Sequence, residues 1–310
     1  MSFGELAKPI LKSNEILIKM LASPINPSDV NQIEGVYPVQ PYLDNDIMIP
    51  GNEGCGEVVE TGPEVKDLKS GDRVIFAAYA MGTWREFVSA KRQEVIKVSN
   101  MLDPRHAAVL SVNPCSAYRM LSDFGDNSVV IQNAANSNVG RMVIQMAKLK
   151  GLETVNIIRD RPDLGTLKNE LSKLGANYIF TEDEFAKKET IDLIKDLKPS
   201  LALNAVGGTS ATNISKVLHK NGQMVTYGAM SRKPVSLPAS LLIFKNLSFK
   251  GFWMTQWTKN HSHDEKRSMV KEIEEMVLQG KLTFPNIREF KTEAYKEAFG
   301  KGDKTLFIWT

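Results

Sequence analysis

The sequence predicts an α/β protein in which a doubly wound parallel-sheet domain interrupts a β-rich domain. Three observations carry this. The residues up to about Pro104 hold short β-branched runs broken by turn signals. From about Ala107 short apolar strands alternate with helical periods, the pattern of a parallel sheet with crossover helices. After about Gly251 one long helical period precedes a closing strand or two. The expected domains are therefore 1–112 and 251–310 around an inserted 113–250, and 310 residues are enough for both.

In order, Glu15-Ile-Leu-Ile-Lys-Met-Leu21 reads as a strand, followed by Gly54-Cys-Gly-Glu-Val-Val-Glu60 and Asp72-Arg-Val-Ile-Phe76. Gly62-Pro63 and Ser70-Gly71-Asp72 mark the turns between them. A helix is expected from Pro114 to Asp123, then a buried strand at Val129-Val-Ile131. Arg141 to Leu149 has a helical period through Met142, Val143, Met146, Ala147 and Leu149. Thr154-Val-Asn-Ile-Ile158 is the next strand, and a helix from Asp163 to Leu174 stops at Gly175. Tyr178-Ile-Phe180, Leu201-Ala-Leu203 and Gln223-Met-Val-Thr226 continue the strands, and Asp264 to Gln279 is the last long helix.

Composition removes several function classes. The chain is 42% apolar and 24% charged, ordinary for a globular protein. A net charge of +3 with no basic run gives no footprint for nucleic acid. No apolar stretch reaches the length of a membrane span. Cys55 and Cys115 make neither a disulfide framework nor a cysteine-rich zinc lobe, so a reducing compartment is expected. The first twenty residues show neither a signal peptide's apolar core nor a Ser/Arg-rich presequence.

The stretch from Ser128 to Arg161 carries the first chemistry. It reads strand, tight turn, helix, strand. At such a turn the first N–H groups of the helix are free and the helix dipole is positive, so a phosphate is welcome. The glycine pattern of dinucleotide sites survives only as Ala135, Ser137 and Gly140. On pattern alone an ordinary βα turn stays equally open. Asn136, Ser137 and Asn138 offer side-chain donors. The acid that receives a ribose hydroxyl in NAD sites falls on Arg159 or Asp160, and Arg161 follows. A guanidinium grips a phosphate by two parallel hydrogen bonds, so this end favours NADP(H). A solvated basic loop, or Asp160 turned to the ribose, is the alternative.

Ile49-Pro-Gly-Asn-Glu-Gly-Cys-Gly-Glu-Val58, followed by Gly71-Asp-Arg-Val74, resembles the medium-chain dehydrogenase/reductase superfamily. Its zinc members carry Gly-His-Glu in the first motif, and here Asn52 stands in place of the metal-binding His. A catalytic zinc needs three protein ligands. His106 and His219 are isolated, and His261 and His263 in a polar turn read as surface residues. Within the superfamily, several motifs resemble mitochondrial 2-enoyl thioester reductases. They are Pro24-Ile-Asn-Pro-Ser-Asp29, Gly82-Thr-Trp-Arg85, Val112-Asn-Pro-Cys115, Arg159-Asp-Arg-Pro-Asp163, Val225-Thr-Tyr-Gly228 and Gly251-Phe-Trp253 with Trp257.

That resemblance implies a GroES-like catalytic domain split around a Rossmann domain. It implies NADPH-dependent reduction of the trans-2 double bond of an enoyl-CoA or enoyl-acyl carrier protein, in mitochondrial fatty acid synthesis, by a homodimer. It carries a proton donor onto Tyr37 of Gly35-Val36-Tyr37. Cofactor contacts are carried onto Asn113, Asn136, Ser137, Asn138, Val139, Arg159, Asp160, Arg161, Tyr227, Gly228, Ala229, Met230, Phe252, Trp253, Met254 and Lys304. Three departures accompany it: a late start, a short linker Ser122–Ser128, and an extended loop Tyr42–Met48 that brings in a second tyrosine.

Tyr37 suits the chemistry because a phenol keeps its proton at neutral pH. A loop tyrosine with a packing role is the alternative. Trp84, Phe252, Trp253 and Trp257 are candidates for the walls of an acyl channel. Lys259, Lys266, Arg267 and Lys304 are candidates for a basic rim, with solvated charge as the default. A zinc-free quinone or alkenal reductase and a non-catalytic NADPH-binding protein are the competing functions.

Overall fold

A computed structural model describes residues 4–124, 128–284, 287–299 and 304–309. The linker residues 125–127 lie outside them. The chain forms two compact units, one of Met1–Cys115 with Thr255–Thr310 and one of Ser116–Met254. The boundaries fall at 115/116 and 254/255, where the sequence placed them at 112/113 and 250/251.

The first unit is built on a mostly antiparallel sheet. Its strands lie in the order Ile287–Phe290, Lys304–Ile308, Glu15–Ile25, Cys55–Thr61, Arg73–Phe76 and Val95–Val98, and Phe87–Lys91 also pairs with Glu15–Ile25. The long strand Glu15–Ile25 is buried along nearly its whole length because it pairs with three partners. Ile16, Ile18, Met20, Val58, Val74, Phe76, Val88 and Val95 form the core beside it. Removing such side chains from water stabilises the fold by about 1.5–3 kcal/mol each.

The segment after Tyr37 folds as a hairpin, Tyr42–Asp44 against Ile47–Ile49. Its two-residue turn has Asn45 and Asp46 at φ 47° and 68°, residue types that tolerate the left-handed region. Helix Pro27–Ile33 was missed by periodicity, being only seven residues long. Its signal was local: Asn26 at the cap, Pro27 in the first turn and Asp29 accepting the Asn26 N–H at 2.7 Å.

The second unit is a six-stranded parallel sheet in the order Tyr178–Thr181, Glu153–Ile158, Val129–Gln132, Leu201–Asn204, Gln223–Thr226 and Ser248–Gly251. The chain starts in the middle, moves outward one way, then returns to the middle and moves the other way. The order therefore reverses between Val129–Gln132 and Leu201–Asn204, the switch point where open α/β sheets bind ligands. Ile131, Val155, Ile157, Ala202, Ile214 and Met224 belong to its core. The helix expected from Arg141 begins at Asn138, because the Ser137 hydroxyl accepts the Gly140 N–H at 3.1 Å and starts it earlier.

Candidate active site

In the second unit the turn after Val129–Gln132 is set by space and by buried amides. Ala134 has φ 49°. A Cβ on Gly140 would stand 2.5 Å from the Ala135 carbonyl oxygen and 2.8 Å from that of Ala134. Only glycine lets the helix start against the strand here, which is the role of the third glycine in dinucleotide turns. Asn133, fully buried, donates to Asn204 Oδ1 at 2.8 Å and accepts the Ala205 N–H at 2.8 Å. It thus clamps the two strands that flank the switch point. Arg141 Nε donates to the Asn136 carbonyl at 3.2 Å and steadies the turn from behind. Asn136, Ser137, Asn138 and Val139 are half-buried at the start of the helix.

The rest of the predicted set in this unit is placed as follows. Arg159 and Asp160 are exposed just past the end of strand Glu153–Ile158, and Arg159 has no partner among the described residues. Arg161 is committed: Nε donates to Asp163 Oδ1 at 2.5 Å. The same guanidinium holds the Asp163 carboxyl below its usual range. Asp160 accepts the Arg161 N–H at 2.9 Å. Tyr227 follows strand Gln223–Thr226, with its N–H donating to Asn204 O at 3.0 Å. Its hydroxyl is buried beside Ser137, whose side chain pulls the phenol the other way from burial. Burial pushes that phenol up. Gly228 packs on Ala205, and Ala229 and Met230 are exposed. Phe252 donates its N–H to Thr226 O at 2.9 Å and meets Phe124 edge-on at 6.4 Å. Trp253 is half-buried and Met254 buried.

The first unit holds a buried polar centre that sequence reasoning did not find. Asn52 Nδ2 donates to Asp29 Oδ1 at 2.6 Å and to Gln32 Oε1 at 2.9 Å, and Asn52 Oδ1 accepts the Ala80 N–H at 2.7 Å. Glu53 accepts from Asn26 Nδ2 at 3.0 Å and from the Val112 N–H at 2.9 Å, one residue before Asn113. Lys304 donates to Asn26 Oδ1. Asp29, Glu53 and Lys304 are all buried. Burial raises Asp29 to about 6, although the Asn26 and Asn52 donors and the Lys304 charge pull it down. Burial lowers Lys304, against the pull of Glu53 and Asp29.

Tyr37 is half-buried and lies between helix Pro27–Ile33 and the buried Val39. Tyr42 has a packing role: its ring covers Gly82 and takes the Arg85 guanidinium at 4.2 Å from its centre.

Several expectations need correction. Lys266 and Lys304 are buried and form no surface rim. Lys266 donates to Ala77 O at 2.9 Å and to Thr258 Oγ1 at 2.9 Å. His261 and His263 are half-buried instead of surface residues. His261 stacks on Trp257 at 4.0 Å, and His263 Nε2 lies 2.8 Å from Val95 O. Trp84 donates to Pro24 O at 3.1 Å and meets Phe307 edge-on at 5.2 Å.

Two family models match the chain: the alcohol dehydrogenase GroES-like domain over residues 12–100 and the zinc-binding dehydrogenase over 138–275. The mitochondrial enoyl-[acyl-carrier-protein] reductase of Mus musculus is 45% identical over 93% of this chain and 78% of its own length. The chain belongs to the enoyl-[acyl-carrier-protein] reductase family. It is a medium-chain dehydrogenase/reductase with a GroES-like unit and a Rossmann-type parallel sheet. Among solved structures, the Candida tropicalis mitochondrial 2-enoyl thioester reductase Etr1p/Etr2p heterodimer superposes with a TM-score of 0.92 at 36% identity, covering 98% of this chain and 93% of that one. The Etr1p/NADP/crotonyl-CoA complex gives the same values, 0.92, 36%, 98% and 93%.

The name of the second family model raises zinc, and the donors present do not fit it. Asn52 spends its amide N–H groups on Asp29 and Gln32 and its oxygen on Ala80. An amide is a poor replacement for imidazole or thiolate. Among the described residues no group of three His, Cys, Asp or Glu side chains converges on one point. A dinucleotide fits better. The Gly140 cradle excludes a Cβ, and Arg159 is unengaged among the described residues.

Proposed function

We propose that this chain is an NADPH-dependent 2-enoyl thioester reductase. It reduces the trans-2 double bond of an enoyl-CoA or enoyl-acyl carrier protein, with hydride going to the β-carbon and a proton to the α-carbon from Tyr37. The single observation that carries the reaction is likeness along nearly the whole chain to enoyl reductases, including the Etr1p complex with NADP and crotonyl-CoA.

When bound, NADPH supplies the hydride. Asn138 and Val139 would meet its pyrophosphate with the free N–H groups of the helix start, and Asn136 and Ser137 with their side chains. Arg159 would hold the 2′-phosphate, with Arg161, now paired with Asp163, and Asp160, which accepts the Arg161 N–H, beside it in the same loop. In the second unit Tyr227 to Met230 and Phe252 to Met254 would complete the cradle. Lys304 is assigned differently from the sequence expectation: its ammonium offsets the buried pair Asp29 and Glu53. Negative charge builds on the thioester oxygen as the β-carbon is reduced, and donors fixed in advance stabilise it most. Tyr37 then delivers its phenolic proton, help worth roughly 10²–10⁴-fold.

The relatives are named mitochondrial, which supports that location. A homodimer is supported by the second unit's edge strand Ser248–Gly251, which is largely exposed, and by Ile243 and Phe244 shortly before it in the chain, 69% and 75% exposed. Unpaired edges and apolar patches invite a second copy. The test of the activity is NADPH oxidation with trans-2-enoyl-CoAs of graded chain length. Turnover with crotonyl- or hexenoyl-CoA is expected. Tight NADPH binding with no oxidation by any enoyl thioester would overturn the proposal in favour of a binding protein, and turnover confined to quinones or alkenals would make it a reductase of another class.

A further inference from the structure

We infer that Gln32, oriented by Asn52, is the positioning residue for Tyr37. The inference rests on the assignment of Tyr37 as proton donor and concerns what holds it. Tyr37 lies in the segment 34–39, and Gln32 ties down both ends of that segment. At the near end its backbone carbonyl accepts the Gly35 N–H at 3.1 Å, where Gly35 turns the chain at φ 71°. Val36 N–H donates to Asn31 O at 2.9 Å in the same turn. At the far end the Gln32 side chain donates through Nε2 to the Val39 carbonyl at 3.1 Å. Both Gln32 and Val39 are buried, so the bond is shielded from water.

That side-chain bond has a fixed sense. With Nε2 given to a carbonyl, Gln32 Oε1 must face a donor, and Asn52 Nδ2 supplies it at 2.9 Å. Asn52 is itself locked, because its oxygen accepts the Ala80 N–H and its nitrogen also serves the buried Asp29. Hydrogen bonds thus run one way from Ala80 through Asn52 and Gln32 to Val39. The position that carries a metal ligand in zinc-dependent members of the superfamily here begins a chain of amides that ends two residues beyond the tyrosine. Such a staple matters because a displacement of about 1 Å at a reacting group costs about 10²-fold in rate.

A merely structural Gln32 and a positioning Gln32 separate in a double-mutant cycle. Gln32→Met removes both side-chain bonds. Gln32→Glu keeps the acceptor for Asn52 but sets a carboxylate oxygen against the Val39 carbonyl. Each single variant is expected to lower kcat by about 10- to 100-fold with KM for NADPH unchanged. Amide hydrogen exchange at Gly35 and Val36 should quicken in both. In a Tyr37→Phe background neither change should lower kcat further. An equal fold-loss in both backgrounds, or a wild-type kcat in Gln32→Met, overturns the positioning role. A Tyr37→Phe enzyme with wild-type turnover overturns the acid assignment itself, and this inference with it.

Discussion

The turn at 133–140 and the polar centre around Asn52 hold polar groups out of water in opposite ways. The turn works by subtraction: small residues let the backbone come close, and the groups left over are N–H donors waiting for a phosphate. The centre works by saturation, with Asn52 spending every amide group on a partner within the first unit. The comparison teaches that a binding site shows unspent donors, whereas a scaffold for a reacting group shows none. It also predicts different injuries. Damage to the centre should cost folding stability, and damage to the turn should cost cofactor.

The largest expected effect tests the saturated side. Lys304→Met leaves Asp29 and Glu53 without the ammonium that offsets them, and breaking a buried charge arrangement costs about 3–5 kcal/mol. Chemical denaturation should show that loss with NADPH absent. A change below about 0.5 kcal/mol would mean that the two acids are not relying on it.

On the unspent side, Arg159→Ala should weaken NADPH by about 1.5–3 kcal/mol and leave NADH nearly unchanged. Arg161→Ala should lose less, because its guanidinium is already held by Asp163. Isothermal titration with both cofactors checks this, and equal losses for NADPH and NADH would remove the phosphate reading. Gly140→Ala should destabilise the second unit by about 1–3 kcal/mol through the overlap with Ala135, with NADPH affinity falling as well. A Gly140→Ala protein with an unchanged Tm would refute the close-packing argument.

The smallest effect is electrostatic. Asp103 caps helix Pro104–Ala107 and is held at about 2 by Arg105. A carboxylate with a depressed folded pKa gives stability that is present above its unfolded value and is lost as pH falls through the folded one. The Asp103 contribution should therefore fade between about pH 4 and pH 2. Asp103→Asn should remove part of that acid dependence and cost about 1 kcal/mol or less at pH 7, since Asn caps helices nearly as well. Melting curves across the acid range read both.

What could be read from sequence follows the same division. Ser137, Gly140 and Arg159 lie within about one strand–turn–helix–strand unit, so periodicity and spacing brought them together. The parallel sheet was legible for the same reason, because alternating apolar runs report a local period. The helix Pro27–Ile33 escaped periodicity but left a capping signature in Asn26, Pro27 and Asp29. The polar centre left no local trace. Its bonds join residues 20 to 278 positions apart, from Asn52–Gln32 to Lys304–Asn26. Default solvation was accordingly the wrong expectation for Lys266 and Lys304, whose charge gave no hint of burial. The resemblance to the reductase family supplied Tyr37, which no pattern of residue types singles out, and the structure adds the stapled loop on which it stands.

The most direct measurement is turnover of crotonyl-CoA by the wild-type and Tyr37→Phe proteins, with NADPH affinity measured alongside by its fluorescence on binding. The account predicts that wild-type protein oxidises NADPH with crotonyl-CoA, and that Tyr37→Phe lowers kcat by roughly 10²–10⁴-fold while NADPH affinity stays the same. Undiminished turnover in Tyr37→Phe would contradict it.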